Sequence, residues 1–174
     1  MAAMNPLVLL FLLSSLSIPS LSSSKAQPAK PNSQITVMGI VYCDICSNNT
    51  FSRHSYFLPG AEVKIDCRFK VLSPRTTEEI SFSVKRTTNK FGVYKLEIPS
   101  IDGIQCAAEP AIESACQASL MGSSSSSCNV PGYKTTSDEI TIKSKQANLC
   151  IYSLNALNFR PSKRDKSLCG NEKN

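Results

Sequence analysis

The chain has 174 residues, a formal net charge of +6 at pH 7, eight cysteines, one histidine and no tryptophan. That length suits one domain with short appendages, able to bury roughly two thirds of its unfolded surface without relying on disulfides to collapse. The single histidine, His54, excludes a histidine-rich metal centre and leaves nucleophilic catalysis one candidate histidine base.

The first element in chain order is a targeting signal. Residues 7–13 read LVLLFLL, and the apolar character weakens through Leu16 and Ile18 before the small polar stretch from Pro19 to Ser24. This is the pattern of a secretory signal peptide, although no Lys or Arg precedes Lys25. The apolar run, about 12 residues, is too short for the ~20 of a membrane-spanning helix. The polar end, Cys169-Gly-Asn-Glu-Lys-Asn, carries no lipid-anchor signal. The expected division is a signal peptide over 1–26, a Pro-containing linker over 27–34 and one β domain over 35–174.

From Ile35 the pattern turns to period two. Ile35 to Tyr42 reads as a strand, with Gly39 a bulge or a point of close approach. Pro59-Gly60 marks a turn. Ala61 to Phe69 then alternates cleanly, with Val63, Ile65, Cys67 and Phe69 on one face and Glu62, Lys64, Asp66 and Arg68 on the other. Ile80 to Lys85 repeats the theme, and a turn over Thr87 to Lys90 leads into Gly92 to Ile98. Cys116–Met121, Glu139–Lys143 and Leu149–Leu154 complete the set, while Ala107 to Ala115 suits a helical turn. The expected fold is all-β, about seven strands in an antiparallel sandwich or small barrel stapled by disulfides. Gly122 to Ser127 and the basic stretch Arg160 to Lys166 read as loops.

In an oxidising compartment eight cysteines point to four bridges, although about a hundred pairings are formally open. Asn48-Asn49-Thr50 is an acceptor sequon, which makes Asn48 a candidate glycan site on a surface loop.

Gly39-Ile40-Val41-Tyr42-Cys43-Asp44-Ile45-Cys46 resembles the signature of the olive-type pollen allergen (Ole e I) and extensin family of plants, with Ser47 in place of the usual arginine. The resemblance continues through Pro59-Gly60-Ala61-Glu62-Val63, the segment Thr88 to Ile98, and Asn129-Val130-Pro131 after Cys128. Asn155-Ala156-Leu157-Asn158-Phe159 stands where the family has N-P-L-G-F, so Ala156 and Asn158 are departures. The resemblance implies the pairings Cys43–Cys128, Cys46–Cys169 and Cys67–Cys116, which leaves Cys106 and Cys150 to each other. In the chain-entropy picture each long-range bridge is worth roughly 3–5 kcal/mol, without additivity across overlapping loops. The resemblance also implies an extracellular or cell-wall protein, in a family linked to pollen, tube growth and wall architecture without one agreed biochemical activity.

Catalysis finds little support. Cys43-x-x-Cys46 suits a thiol–disulfide oxidoreductase, but Ser47-Asn48-Asn49-Thr50 follows where a redox motif needs a helix start. A zinc site lacks a second Cys-x-x-Cys and a second histidine. His54 lies in a polar loop with no Gly-x-Ser-x-Gly elbow anywhere, and Glu78-Glu79 and Asp138-Glu139 are chain neighbours that point apart on a strand. No cofactor is expected.

Binding remains. The positive charge favours acidic partners, with Arg160, Lys163, Arg164 and Lys166 as a candidate basic patch and Tyr56 or Tyr133 as stacking surfaces. The expected partners are acidic wall polysaccharide or a receptor ectodomain, with no nucleic acid and no stable membrane insertion. A purely structural wall role is weakened by the lack of long Pro-rich repeats.

Overall fold

Period-two alternation organises the chain into two β-sheets. The computed structural model describes residues 34–72, 77–98, 112–136, 139–144 and 149–170, all within the unit Pro31–Asn174. The expected signal peptide, residues 27–33 of the linker, and Cys106 lie outside the described residues. In chain order the elements are β1 (Gln34–Cys43), β2 (Tyr56–Phe57), β3 (Glu62–Leu72), β4 (Thr77–Thr87), β5 (Val93–Ile98), β6 (Ile112–Gly122), β7 (Val130–Pro131), β8 (Glu139–Ser144), β9 (Leu149–Leu154), β10 (Leu157–Arg160) and a short helix α1 (Lys166–Cys169).

The smaller sheet has the order β4-β3-β6 and is antiparallel throughout. The larger runs β7-β10-β1-β9-β8, with β2 and β5 also paired to β1. Buried Val63, Ile65, Cys67 and Phe69 of β3 join Ala118 and Leu120 of β6 in one core with Ile35, Val37 and Val41 of β1, Tyr94, Leu96 and Ile98 of β5, and Cys150, Tyr152 and Leu154 of β9. The ring of Phe69 meets that of Tyr152 at 5.5 Å. Each fully buried side chain of this kind contributes about 1.5–3 kcal/mol.

Two expectations are corrected. The larger sheet is mixed, because β1 runs parallel to both β9 and β10. After Leu154 the chain does not reverse: Leu154, Asn155 and Ala156 lie opposite only Gly39 and Ile40, and this extra residue lets β10 continue beside β1 in the same direction. The helical turn is also displaced. Ile112 to Ala115 are strand residues paired with Arg68 to Val71, so cross-strand pairing along β3 overrides local helix propensity. Residues 107–111 lie outside the described residues.

Gly39 is a point of close approach. The phenol of Tyr94 lies where a Cβ on Gly39 would stand, which makes room for a fully buried tyrosine beside β1. Thr88 secures the Pro59-Gly60 turn: its hydroxyl donates to Leu58 O at 2.6 Å and accepts Ala61 N–H at 2.9 Å.

Candidate functional site

The C-terminal end of β1 gathers more special residues than any other described region. Tyr42 and Cys43 end the strand between β2 and β10. Asp44 follows, fully buried, and its carboxylate accepts Cys46 N–H at 3.1 Å and Asn49 N–H at 2.6 Å. A buried carboxylate is tolerated where charge-assisted hydrogen bonds replace water. Those two bonds close the loop after β1 while Ser47 and Asn49 adopt left-handed backbone, at φ 59° and 57°.

The structure brings Cys43 to Cys128, Cys46 to Cys169, and Cys67 to Cys116. Cys150 is disulfide-bonded as well. Cys43 and Cys46 are therefore bonded to different, distant residues and not to each other, so the oxidoreductase reading has no dithiol pair to work with. Among the described residues no cluster of three or more His, Cys, Asp or Glu side chains is placed to hold a metal ion.

On the surface of this end lies an aromatic strip. Phe51 and Phe57 stack at 5.2 Å with 27° between their planes. Tyr42 meets Phe51 edge-on, also at 5.2 Å. Phe51 is 53% and Phe57 44% exposed, whereas Tyr42 is buried beneath them. Gly92, at φ +69°, brings the β4–β5 turn against Phe57; a Cβ there would stand 2.9 Å from Phe57 Cβ. The same turn carries exposed Phe91, with Lys90 Nζ 4.9 Å from its ring centre. Tyr56 and Tyr133 are exposed, and burial raises the Tyr42 phenol above its ordinary range, with smaller contributions from Asp44 and Tyr133.

The Cys46–Cys169 bridge holds α1 beside this loop. Arg53 Nε donates to His54 Nε2 at 2.9 Å, and His54 is near enough to influence Asp165, whose carboxyl is held low mainly by the Ser167 hydroxyl. Of the expected basic patch, Lys163 and Lys166 face solvent. Arg160 is half-buried at the end of β10, and Arg164 is half-buried and donates to Cys169 O at 3.1 Å, tying down the helix end. Asn48 is exposed on the loop, one residue before left-handed Asn49.

Sequence reasoning missed Phe51 and Phe57. Phe51 stands alone in a polar loop, and β2 is two residues long, so neither shows a periodicity. Elsewhere, a depression on the outer face of β4-β3-β6 is lined by Asp66, Arg68, Ser81, Ser83 and Gln117. Lys64 and Ser83 bind the Asp66 carboxylate at 2.8 and 2.7 Å, and Arg68 pairs with Glu79 at 3.1 Å. Its charges are matched, and it contains no histidine. No described helix is long and apolar enough to cross a membrane.

No family model matches the chain. It is similar to a pollen-specific protein-like chain of Arabidopsis thaliana, 31% identical over 91 residues, which are 52% of this chain and 50% of that relative. It is 30% identical over 127 residues to pollen allergen Cro s 1 of Crocus sativus, covering 71% of this chain and 67% of the relative. The match thus spans half the length of the first relative and two thirds of the second. Among solved structures it is similar to the major plantain pollen allergen Pla l 1, at 25% identity and a TM-score of 0.49, over 76% of this chain and 98% of that one. None of these names is that of an enzyme.

Proposed function

The chain belongs to the olive-type pollen allergen and extensin family, and from that premise we propose a secreted, non-enzymatic protein of the plant apoplast or cell wall that binds acidic wall polysaccharide. The observation that carries the binding reading is the exposed Phe51–Phe57 stack on a loop bridged to a cationic segment. An aromatic face is the negative end of a quadrupole and attracts the C–H face of a pyranose ring. Lys163, Lys166 and Arg53 supply charge for uronate carboxylates, an attraction that salt screens. Disulfides suit an oxidising compartment and support secretion.

The test is retention of the purified protein on immobilised polygalacturonate. Retention at low salt, elution with rising NaCl, and weakening by Phe51→Ala with Phe57→Ala support the proposal. No salt-sensitive retention, or retention indifferent to both phenylalanines and both lysines, removes it. Capture of a receptor ectodomain through the same phenylalanines, without polymer retention, assigns the face to a protein partner instead.

A further inference from the structure

Resting on the polysaccharide reading above, we propose that the turn over residues 52–55 reads uronate carboxylates for the Phe51–Phe57 face, and that a proton on His54 sets the strength of its grip. The turn stands between the two stacked rings. Phe51 directly precedes it, Phe57 lies two residues beyond it, and their ring centres meet at 5.2 Å. Whatever lies on those rings therefore meets the side chains of the turn.

Its two serines hold the turn closed. Ser55 N–H donates to Ser52 O at 3.0 Å, and Ser52 N–H donates to Ser55 Oγ at 3.0 Å. The two hydroxyls bond each other at 3.3 Å, and His54 N–H donates to Ser52 Oγ at 3.3 Å. The bond from the fourth residue back to the first makes Arg53 and His54 the two central residues of a β-turn. Arg53 is exposed and His54 half-buried, so the tip of the loop carries the chain's single histidine beside a permanent cation.

Arg53 Nε–H donates to His54 Nε2 at 2.9 Å, a bond that only the lone pair of a neutral imidazole accepts. A proton on that nitrogen turns the acceptor into a donor, releases Arg53 and leaves two adjacent cations at the tip. Imidazoles take up this proton between about pH 8 and about pH 5, a range in which uronate carboxylates, titrating near about pH 4, stay ionised. Among the described residues two charged groups act on His54: Arg53 beside it, and Asp165 at the N-cap of α1. The Ser167 hydroxyl holds the Asp165 carboxyl low, so it keeps its negative charge over the same range. Acidification thus adds one positive charge to the face while the charge of the ligand and of Asp165 stays constant. One added charge at a solvated surface tightens binding roughly 2–5-fold at low salt.

The test is affinity for polygalacturonate at about pH 5 and about pH 8 in low salt, with wild type beside His54→Gln and His54→Arg. Wild type binds roughly 2–5-fold tighter at the lower pH. His54→Gln accepts from Arg53 without ever taking a charge, and loses that difference; His54→Arg binds at both pH values as wild type does at the lower one. On the methyl-esterified polymer, which carries no carboxylate charge, the wild-type difference vanishes. Without polymer, the nitrogen NMR shift of Arg53 Nε follows the imidazole titration. An equal pH dependence in wild type and His54→Gln, the same difference on the esterified polymer, or an Arg53 signal indifferent to the titration overturns the proposal and leaves the polysaccharide reading standing. Absence of wild-type binding at both pH values removes the two together.

Discussion

Asn158 donates from its side-chain amide to Asn49 Oδ1 at 3.1 Å, joining residues 109 positions apart. Its side-chain Oδ1 accepts Tyr133 N–H at 2.7 Å, so one fully buried asparagine links the loop after β1 to the segment after β7. Gly132 leaves the space, since a Cβ there would overlap both asparagine side chains. Asn158 occupies the place where the family pattern has glycine. Asn158→Gly removes two hydrogen bonds of about 1 kcal/mol each and adds strand flexibility worth roughly 0.5–1 kcal/mol. A urea midpoint lowered by about 2–3 kcal/mol equivalent is expected, with faster amide exchange at Asn49; an unchanged midpoint contradicts the role.

Asp44 makes a second prediction at the same loop. Asp44→Asn keeps one acceptor but turns an NH2 group toward the N–H of Cys46 or of Asn49. Hydrogen bonds to a charged group are worth about 1.5–3 kcal/mol, and the loss of one is expected to dominate. The fold survives through its bridges, but the Phe51–Phe57 strip loses its fixed base. Polygalacturonate retention falls along with the urea midpoint. Full retention with a lowered midpoint would separate the loop's order from binding.

The long strands are legible because alternation over Ala61–Phe69 and Gly92–Ile98 leaves one apolar face to bury. Three things are not legible. β2, β7 and β10 are too short for any period to register, and β10 buries Leu157, Asn158 and Phe159 in succession. The parallel course of β9 and β10 depends on one inserted residue near Asn155, which no local pattern marks. The aromatic strip needs Phe51 and Phe57 side by side, which takes both the pairing of Tyr42 with Phe57 and the fold of the loop that sets Phe51 against Tyr42. Cysteine spacing alone leaves pairing open, and it is the resemblance to the family motif that implies the bridges.

The bridge between Cys46 and Cys169 closes 123 residues. Replacing both by serine releases α1 from the loop and costs about 2–5 kcal/mol, less to the extent that the other bridges already constrain the unfolded chain. Hydrogen exchange is expected to rise over residues 160–170 and to stay low in β3 and β6. If the basic segment contributes to polymer binding by position, the double variant elutes from polygalacturonate at lower salt than wild type. Elution at unchanged salt would mean that its charge acts without being held in place.

Tyr94 governs the last prediction. Its phenol is fully buried against Gly39, and desolvation pushes its pKa well above the ordinary value near 10. Burial also raises Tyr152. A raised tyrosine pKa means that the folded state keeps its proton where the unfolded state has lost it. Stability is therefore fully present below about pH 10 and declines above it, by about 1.4 kcal/mol per pH unit for Tyr94. Tyr94→Phe removes that contribution, and the alkaline slope of unfolding free energy becomes shallower by about that amount. Gly39→Ala forces a methyl into the phenol and costs about 1–3 kcal/mol or more at neutral pH. Combining it with Tyr94→Phe recovers part of that loss, because the overlapping hydroxyl is gone. Unfolding by urea between pH 8 and pH 12 measures both effects, and an alkaline slope unchanged by Tyr94→Phe would assign the loss to other groups.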